Sequence, residues 1–352
     1  MPDTYRFTFC KSMLTVGVLL FFGVQTVAAQ LTGGLQRSHS LSDNRHLSEP
    51  SPPRYGQGTL HIIAVRVAFQ PDENRLTSGN GTFQPGSLPY LESNEIAIDP
   101  LPHDRSYFES HLEFAAHCFE TVSNGDLTVT YRVLPEIYTL DQRMETYAPT
   151  GASFSNEKLA LFARDVWGRV AESGGFDASG LDPEETAFII FHAGVGRDIE
   201  LTGTSLDKTP QDLPSIYLSR ESLGSLLDEP DFTGFPVNNG QLSVTNTLIL
   251  PRTLSRRGVD VSSTEFVLQL STNGLLCATI GSHLGLPDLF NTSNGSSGIG
   301  RFGLMDGAAI FSYNGLFPPE PSAWEKTYMG WDTAFDVPLD SDSPISLAPG
   351  SA

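Results

Sequence analysis

Residues 271–331 read STNGLLCATIGSHLGLPDLFNTSNGSSGIGRFGLMDGAAIFSYNGLFPPEPSAWEKTYMGW, and this stretch decides the fold. An apolar run containing Gly281 breaks at Gly285, and the chain turns at Pro287-Asp288. A Gly-rich loop then leads to Leu304-Met305-Asp306. The apolar run reads as a helix that ends at Gly285.

Upstream, the pattern alternates between the two periods. TLHIIAVRVAF (59–69) is β-branched and bounded by turn formers, so a buried strand is expected. From Asp104 to Ser123 the apolar positions recur at helical spacing until Asn124-Gly125 stops them. LTVTYRVLP (127–135) alternates as a strand, and Asn156–Glu172 carries an amphipathic helix. TAFIIFH (186–192) and TLIL (247–250) are further strands, with His192 ending the first. Residues 196–245, rich in Pro and Gly, read as loop. No repeat or composition break follows residue 59, so we expect one mixed α/β (α+β) domain over 59–352.

The ends differ from this body. Arg6 and Lys11, an apolar run from Met13 to Val24 and the exit Val27-Ala28-Ala29 have the grammar of a signal peptide over 1–29. The apolar core is about 12 residues where a membrane span needs roughly 20, so export is expected rather than anchoring, with a secreted or cell-surface location. Residues 30–58, dominated by Ser, Pro, Arg and His, read as a flexible leader or pro-segment. The end at Pro349-Gly350-Ser351-Ala352 has no closing helix or strand signal, which leaves a loose terminus or a longer chain as readings.

Acidic residues number 41 against 21 basic ones, for a formal charge of -20, and such a surface repels a phosphate backbone. Nucleic-acid binding is therefore excluded as a first reading. GIGRFG (298–303) has the Gly-x-Gly-x-x-Gly spacing but follows a Ser/Asn/Gly loop instead of a strand, which argues against a dinucleotide site. No Gly-x-Ser-x-Gly elbow occurs. The acidic runs Asp182-Pro183-Glu184-Glu185 and Asp340-Ser341-Asp342 allow calcium, but there is no twelve-residue EF-hand loop and solvated turns explain them better. Cys118 and Cys277 are either two buried thiols or one bridge, and only a distance separates those readings.

The order of the 271–331 features resembles that of the immune inhibitor A-like secreted metallopeptidases, a zincin-like group with a methionine turn. In that family a helix carries His-Glu-x-Gly-His, followed by x-x-Gly-x-x-Asp and a Leu-Met turn. Aligning on GLPDL puts Gly281 on the motif glycine, Gly285 on the helix-ending glycine, Asp288 on the third ligand and Met305 on the methionine turn. FHAG (191–194), SNGDLTV (123–129) and SAWEKTYMGW (322–331) are similar to further family segments, although Phe302 stands where the family usually has Trp. The resemblance implies a zincin-like fold with a mixed sheet, an active-site-type helix and a peptide-binding cleft.

The same register departs from the family at its chemistry. Ala278, Thr279 and Ser282 occupy the positions of the first His, the catalytic Glu and the second His. Holding zinc needs two imidazoles four residues apart on one helical face, with a carboxylate between them to take a proton from the bound water. None of the eight His residues is followed by Glu, so no second copy exists. Slipping the register by one places His283 on a ligand position, but a helix turns about 100° per residue, which aims it elsewhere.

The leading expectation is thus an exported, metallopeptidase-like pseudoenzyme with no catalytic residue and no zinc, keeping a cleft for a peptide or protein. Two alternatives stand beside it: an active zinc endopeptidase using His283, Asp288 and His192, and a structural module of a larger exported protein. His283 is otherwise read as an exposed or capping residue at the helix end, Asp288 as a turn cap and Met305 as packing.

Overall fold

The structure is a computed structural model describing residues 35–37, 56–92, 96–150, 155–201, 205–206, 209–292, 295–307 and 309–334. The expected signal peptide, most of the leader and the C-terminal end lie outside these residues. The Leu35–Arg37 strand, within the expected leader, pairs antiparallel with Ile199–Leu201.

The centre is a five-stranded mixed sheet built from β1 (Gly58–Ala68), β2 (Leu127–Thr139), β3 (Thr186–Val195), β4 (Ile216–Leu218) and β5 (Thr247–Thr253). Its order is β2-β1-β3-β5-β4. The first four strands run parallel and β4 closes one edge antiparallel. All ten residues of β3 are buried, as a central strand covered on both faces requires.

Helices cover both faces. Helix α1 (Arg105–Val122) starts where the Asp104 carboxylate accepts the Ser106 and Tyr107 N–H groups, 2.9 and 3.2 Å away. Helix α2 is Glu157–Glu172, α3 is Arg220–Leu226, α4 is Asn273–Leu284 and α5 is Ala323–Met329. Strand alternation divides the apolar side chains into two cores. Leu60, Ile62, Ala187, Ile189, Phe191, Leu248 and Leu250 face α1 and α4. Ile63, Val65, Phe188, Ile190 and Ile249 face α2, where Trp167 is fully buried and donates to Thr247 Oγ1 at 2.9 Å.

The loop expected over 196–245 is overturned. It contains β4, α3 and the antiparallel pair Phe235–Val237 with Leu242–Val244. A three-residue strand has no period to detect, and β4 exists because Thr247, Leu248 and Ile249 of β5 pair with Leu218, Tyr217 and Ile216. The hairpin Arg256–Val259/Glu265–Leu268 was also not expected, its four-residue strands being too short to establish an alternation.

Candidate functional site

Helix α4 is buried along its whole length, all twelve residues included. At its start Asn273 Oδ1 meets His111 Nδ1 at 2.5 Å, while the Asn273 amide donates to the Leu316 carbonyl at 3.2 Å. At its end Gly285 adopts φ 101°, and its N–H and that of Leu286 bond back to the Ser282 and Gly281 carbonyls at 3.2 and 2.9 Å. These bonds satisfy the terminal carbonyls, a role only a left-handed residue performs without strain.

The three motif positions present no ligand. Ala278 and Thr279 are fully buried and Ser282 nearly so. The Thr279 hydroxyl donates to the Leu275 carbonyl at 2.7 Å and the Ser282 hydroxyl to the Ala278 carbonyl at 3.3 Å, so both are spent on their own helix. A zinc ion wants imidazole, thiolate or carboxylate donors, and these side chains do not fit it.

Gly281 and Met305 are brought together. A Cβ built on Gly281 would lie 2.9 Å from Met305 Sδ, so the missing side chain is what lets the Leu-Met turn seat against the helix. Met305 is fully buried. Its carbonyl accepts the Leu289 N–H at 3.0 Å, tying the turn to the segment just after Asp288. Asp288 itself is half-buried in that connection.

His283 is corrected from an exposed or capping residue to a buried one. It is 3% exposed and its ring meets the edge of Tyr217 from β4, with centroids 5.4 Å apart. Strand β4 lay unseen in the expected loop, so the element that covers the helix end was missing from the sequence reading. The cap is made by Gly285 and Leu286 instead.

His192 lies on the other side of the sheet. It shares parity with Phe188 and Ile190, and its ring approaches Phe69 and Phe162 at 6.4 and 6.5 Å. Burial pushes its pKa down to about 3, with Asp198 opposing weakly, so the ring is neutral. Its Nδ1 accepts the Gly194 N–H at 3.2 Å and Nε2 is buried without a hydrogen-bond partner. The sheet thus separates His192 from His283 and Asp288, and the three do not assemble. Among the described residues no three His, Cys, Asp or Glu gather closely enough to hold a metal ion.

Three features were not anticipated. A buried polar network joins Asp99, His103, Tyr107, Arg252 and Thr253: Asp99 accepts from His103 Nε2 at 3.0 Å and from Tyr107 at 2.6 Å, and Arg252 Nε donates to His103 Nδ1 at 3.0 Å. Burial alone would raise the Asp99 pKa, but its hydrogen bonds to His103, Thr253 and Tyr107 outweigh it and hold the group low. No period marks the pair in the sequence, because Pro100 and Pro102 lie between Asp99 and His103 and the segment is not helical. Second, Asp306 reaches into the Gly-rich loop and accepts from Ser297 Oγ at 2.5 Å and from the Ile299 and Arg301 N–H groups. This carboxylate organises the GIGRFG loop through those three hydrogen bonds. Third, a cavity of about 1000 Å³ opens between residues 75–90 and the 256–267 hairpin, lined in part by Arg75, Tyr90, Arg256 and Phe266. No residue of α4 lines it.

The acidic run at 182–185 is a turn: Asp182 accepts the Glu184 N–H at 2.9 Å, and Glu184 pairs with Arg220 at 3.1 Å. Asp340-Ser341-Asp342 lies outside the described residues. No helix among the described residues is long and apolar enough to cross a membrane. No protein-family model matches the chain, and a search of curated proteins finds no match.

Proposed function

We propose that this chain is an exported, metallopeptidase-like protein of zincin type in which the catalytic helix has become a packing element, so that it acts by binding a peptide or protein rather than by cleaving one. The observation that carries the reading is the state of α4. The helix keeps the register of the family motif around Gly281, Gly285 and Met305, yet Ala278, Thr279 and Ser282 are sealed in the core and the hydroxyls of Thr279 and Ser282 bond to the helix backbone. Lost ligands together with retained packing are what a pseudoenzyme requires.

The wider resemblance supports it. The SNGDLTV and SAWEKTYMGW segments come together: Asn124 Nδ2 donates to the Trp331 carbonyl at 2.8 Å, and the Phe119 and Trp331 rings meet at 6.4 Å. The five-stranded mixed sheet agrees with what the resemblance implies. The alternative of an active zinc enzyme using His192, His283 and Asp288 finds no support, because His192 packs on the far face of the sheet.

Elemental analysis and a casein assay on purified protein test the proposal. We expect far less than one zinc per chain and no turnover with or without added zinc. Stoichiometric zinc accompanied by chelator-sensitive casein cleavage would overturn it.

A further inference from the structure

The cavity of about 1000 Å³ between residues 75–90 and the 256–267 hairpin has walls fixed by groups buried behind it. Asp212, fully buried, accepts the Ser78 N–H and hydroxyl at 2.7 Å each and the Thr209 hydroxyl as well, while Arg256 lies 3.5 Å from the same carboxylate. Arg256 also donates to the Gly196 carbonyl at 2.5 Å and to Thr209 Oγ1 at 3.1 Å. On the other wall, Arg252 Nη1 donates to Ser87 Oγ at 2.7 Å and to the Thr82 carbonyl at 3.2 Å. Walls ordered in advance reduce what a ligand must spend on arranging its site.

What these bonds leave over is donors. Asn80 Oδ1 accepts the Thr82 N–H and hydroxyl at 3.1 and 2.9 Å, which sets the amide's orientation and leaves its NH2 group without a hydrogen-bond partner among the described residues. Ser87 Oγ is the acceptor toward Arg252, and a guanidinium accepts nothing, so the hydroxyl proton remains to be given. The exposed Arg75 guanidinium has no ion pair among the described residues, and the exposed Arg257 meets Glu265 at 3.4 Å. Among the described residues, three guanidiniums and one carboxylate line the cavity. Counting Asp212 behind the floor against them still leaves one positive charge in excess, in a chain whose net charge is -20. Tyr90, Phe266 and Val267 supply apolar wall.

We propose that this cavity binds a carboxylate carried on an apolar or aromatic body. Arg75 and Arg257 hold the anion, the Asn80 amide and the Ser87 hydroxyl donate to its oxygens, and Tyr90 and Phe266 lie against the body. A carboxylate only accepts hydrogen bonds, which matches a site whose spare groups are donors, and its planar pair of oxygens suits a guanidinium fork. An excess of one positive charge fits a monoanion better than a phosphate dianion. Glu265 competes with the ligand for Arg257, so it sets how tightly the site binds. A free organic acid and the C-terminal residue of a peptide both present this chemistry. No residue of α4 lines the cavity, and the inference stands independently of the peptidase-like reading.

The test is isothermal titration calorimetry on the full-length chain with N-acetylphenylalanine, its uncharged amide N-acetylphenylalaninamide, the tripeptide acetyl-Gly-Gly-Phe with a free carboxyl terminus, and inorganic phosphate. The expected result is saturable binding of N-acetylphenylalanine that weakens with added salt, with the amide about tenfold weaker or worse. Arg75→Gln and Arg257→Gln should each weaken the acid by about tenfold, and Glu265→Gln should tighten it by removing the competitor. All three side chains are exposed, so the variants keep the fold. Tighter binding of the tripeptide than of N-acetylphenylalanine would support the proposal with a peptide terminus as the source, and equal or weaker binding would support it with the free acid. No saturable binding of either carboxylate, equal affinity for acid and amide, tighter binding of phosphate, or wild-type affinity in the combined Arg75→Gln, Arg257→Gln variant would each overturn it.

Discussion

His192 shows how one side chain couples burial to pH. Its pKa is driven to about 3 by loss of solvent, against 6.5 for an ordinary imidazole. Between those values the unfolded chain binds a proton that the folded chain refuses, so stability falls as pH drops through that window, by about 1.4 kcal/mol per unit at most. Above 6.5 neither state is protonated there and the effect vanishes. His192→Phe, matched to its aromatic neighbours Phe69 and Phe162, should flatten the dependence of the urea midpoint on pH in this range. His111, whose pKa burial also lowers, adds a slope of the same sign, so some dependence should remain. An unchanged slope in the variant would show that His192 is not held neutral in the folded state. The sequence displayed this residue as a strand-end histidine in FHAG. Its parity with Phe188 and Ile190 was legible, but only the placement of α4 told which parity faces the helix.

At the scale of elements, α4 is held by two glycines that fail differently when substituted. Gly274→Ala would drive a Cβ into the backbone carbonyl of Ile310, which cannot step aside. Gly281→Ala meets Met305 Sδ at 2.9 Å, the end of a flexible side chain. Overpacking costs about 1–3 kcal/mol, and removing a helical glycine returns up to about 1 kcal/mol. We therefore expect Gly281→Ala to cost about 1 kcal/mol and Gly274→Ala clearly more, read from urea unfolding. In a Met305→Ala background the obstacle is gone, so Gly281→Ala should become neutral or stabilising. Simple additivity of the pair would rule out the direct Gly281–Met305 contact. Helices α1, α2 and α4 were legible because each runs for at least three turns with caps or stop signals at its ends. Strand β4 was not, since three residues carry no period and its partner β5 supplies its hydrogen bonds.

For the whole molecule, two apolar cores on opposite faces of one sheet set the order of local opening. Strands β1, β3 and β5 are buried on both faces, whereas β4 is an edge and the hairpin Arg256–Val259/Glu265–Leu268 is exposed at Glu265 and Arg257. Native-state hydrogen exchange should therefore be slowest in β3 and the flanking halves of β1 and β5, and fastest in the hairpin. Comparable protection in the hairpin and β3 would mean that the two cores do not form the most stable unit.

Side-chain type and local period alone fix the alternation of strands and long helices, the glycine stop at 285 and the want of any imidazole, thiol or carboxylate at 278, 279 and 282. Neither needs a distant partner. That His283 is buried under Tyr217 and that His192 lies across the sheet from it follow from the tertiary structure alone. Each of those outcomes depends on which face of which element meets which neighbour. That choice is made when the sheet and its two helical layers close over a shared core, and no local stretch of chain records it.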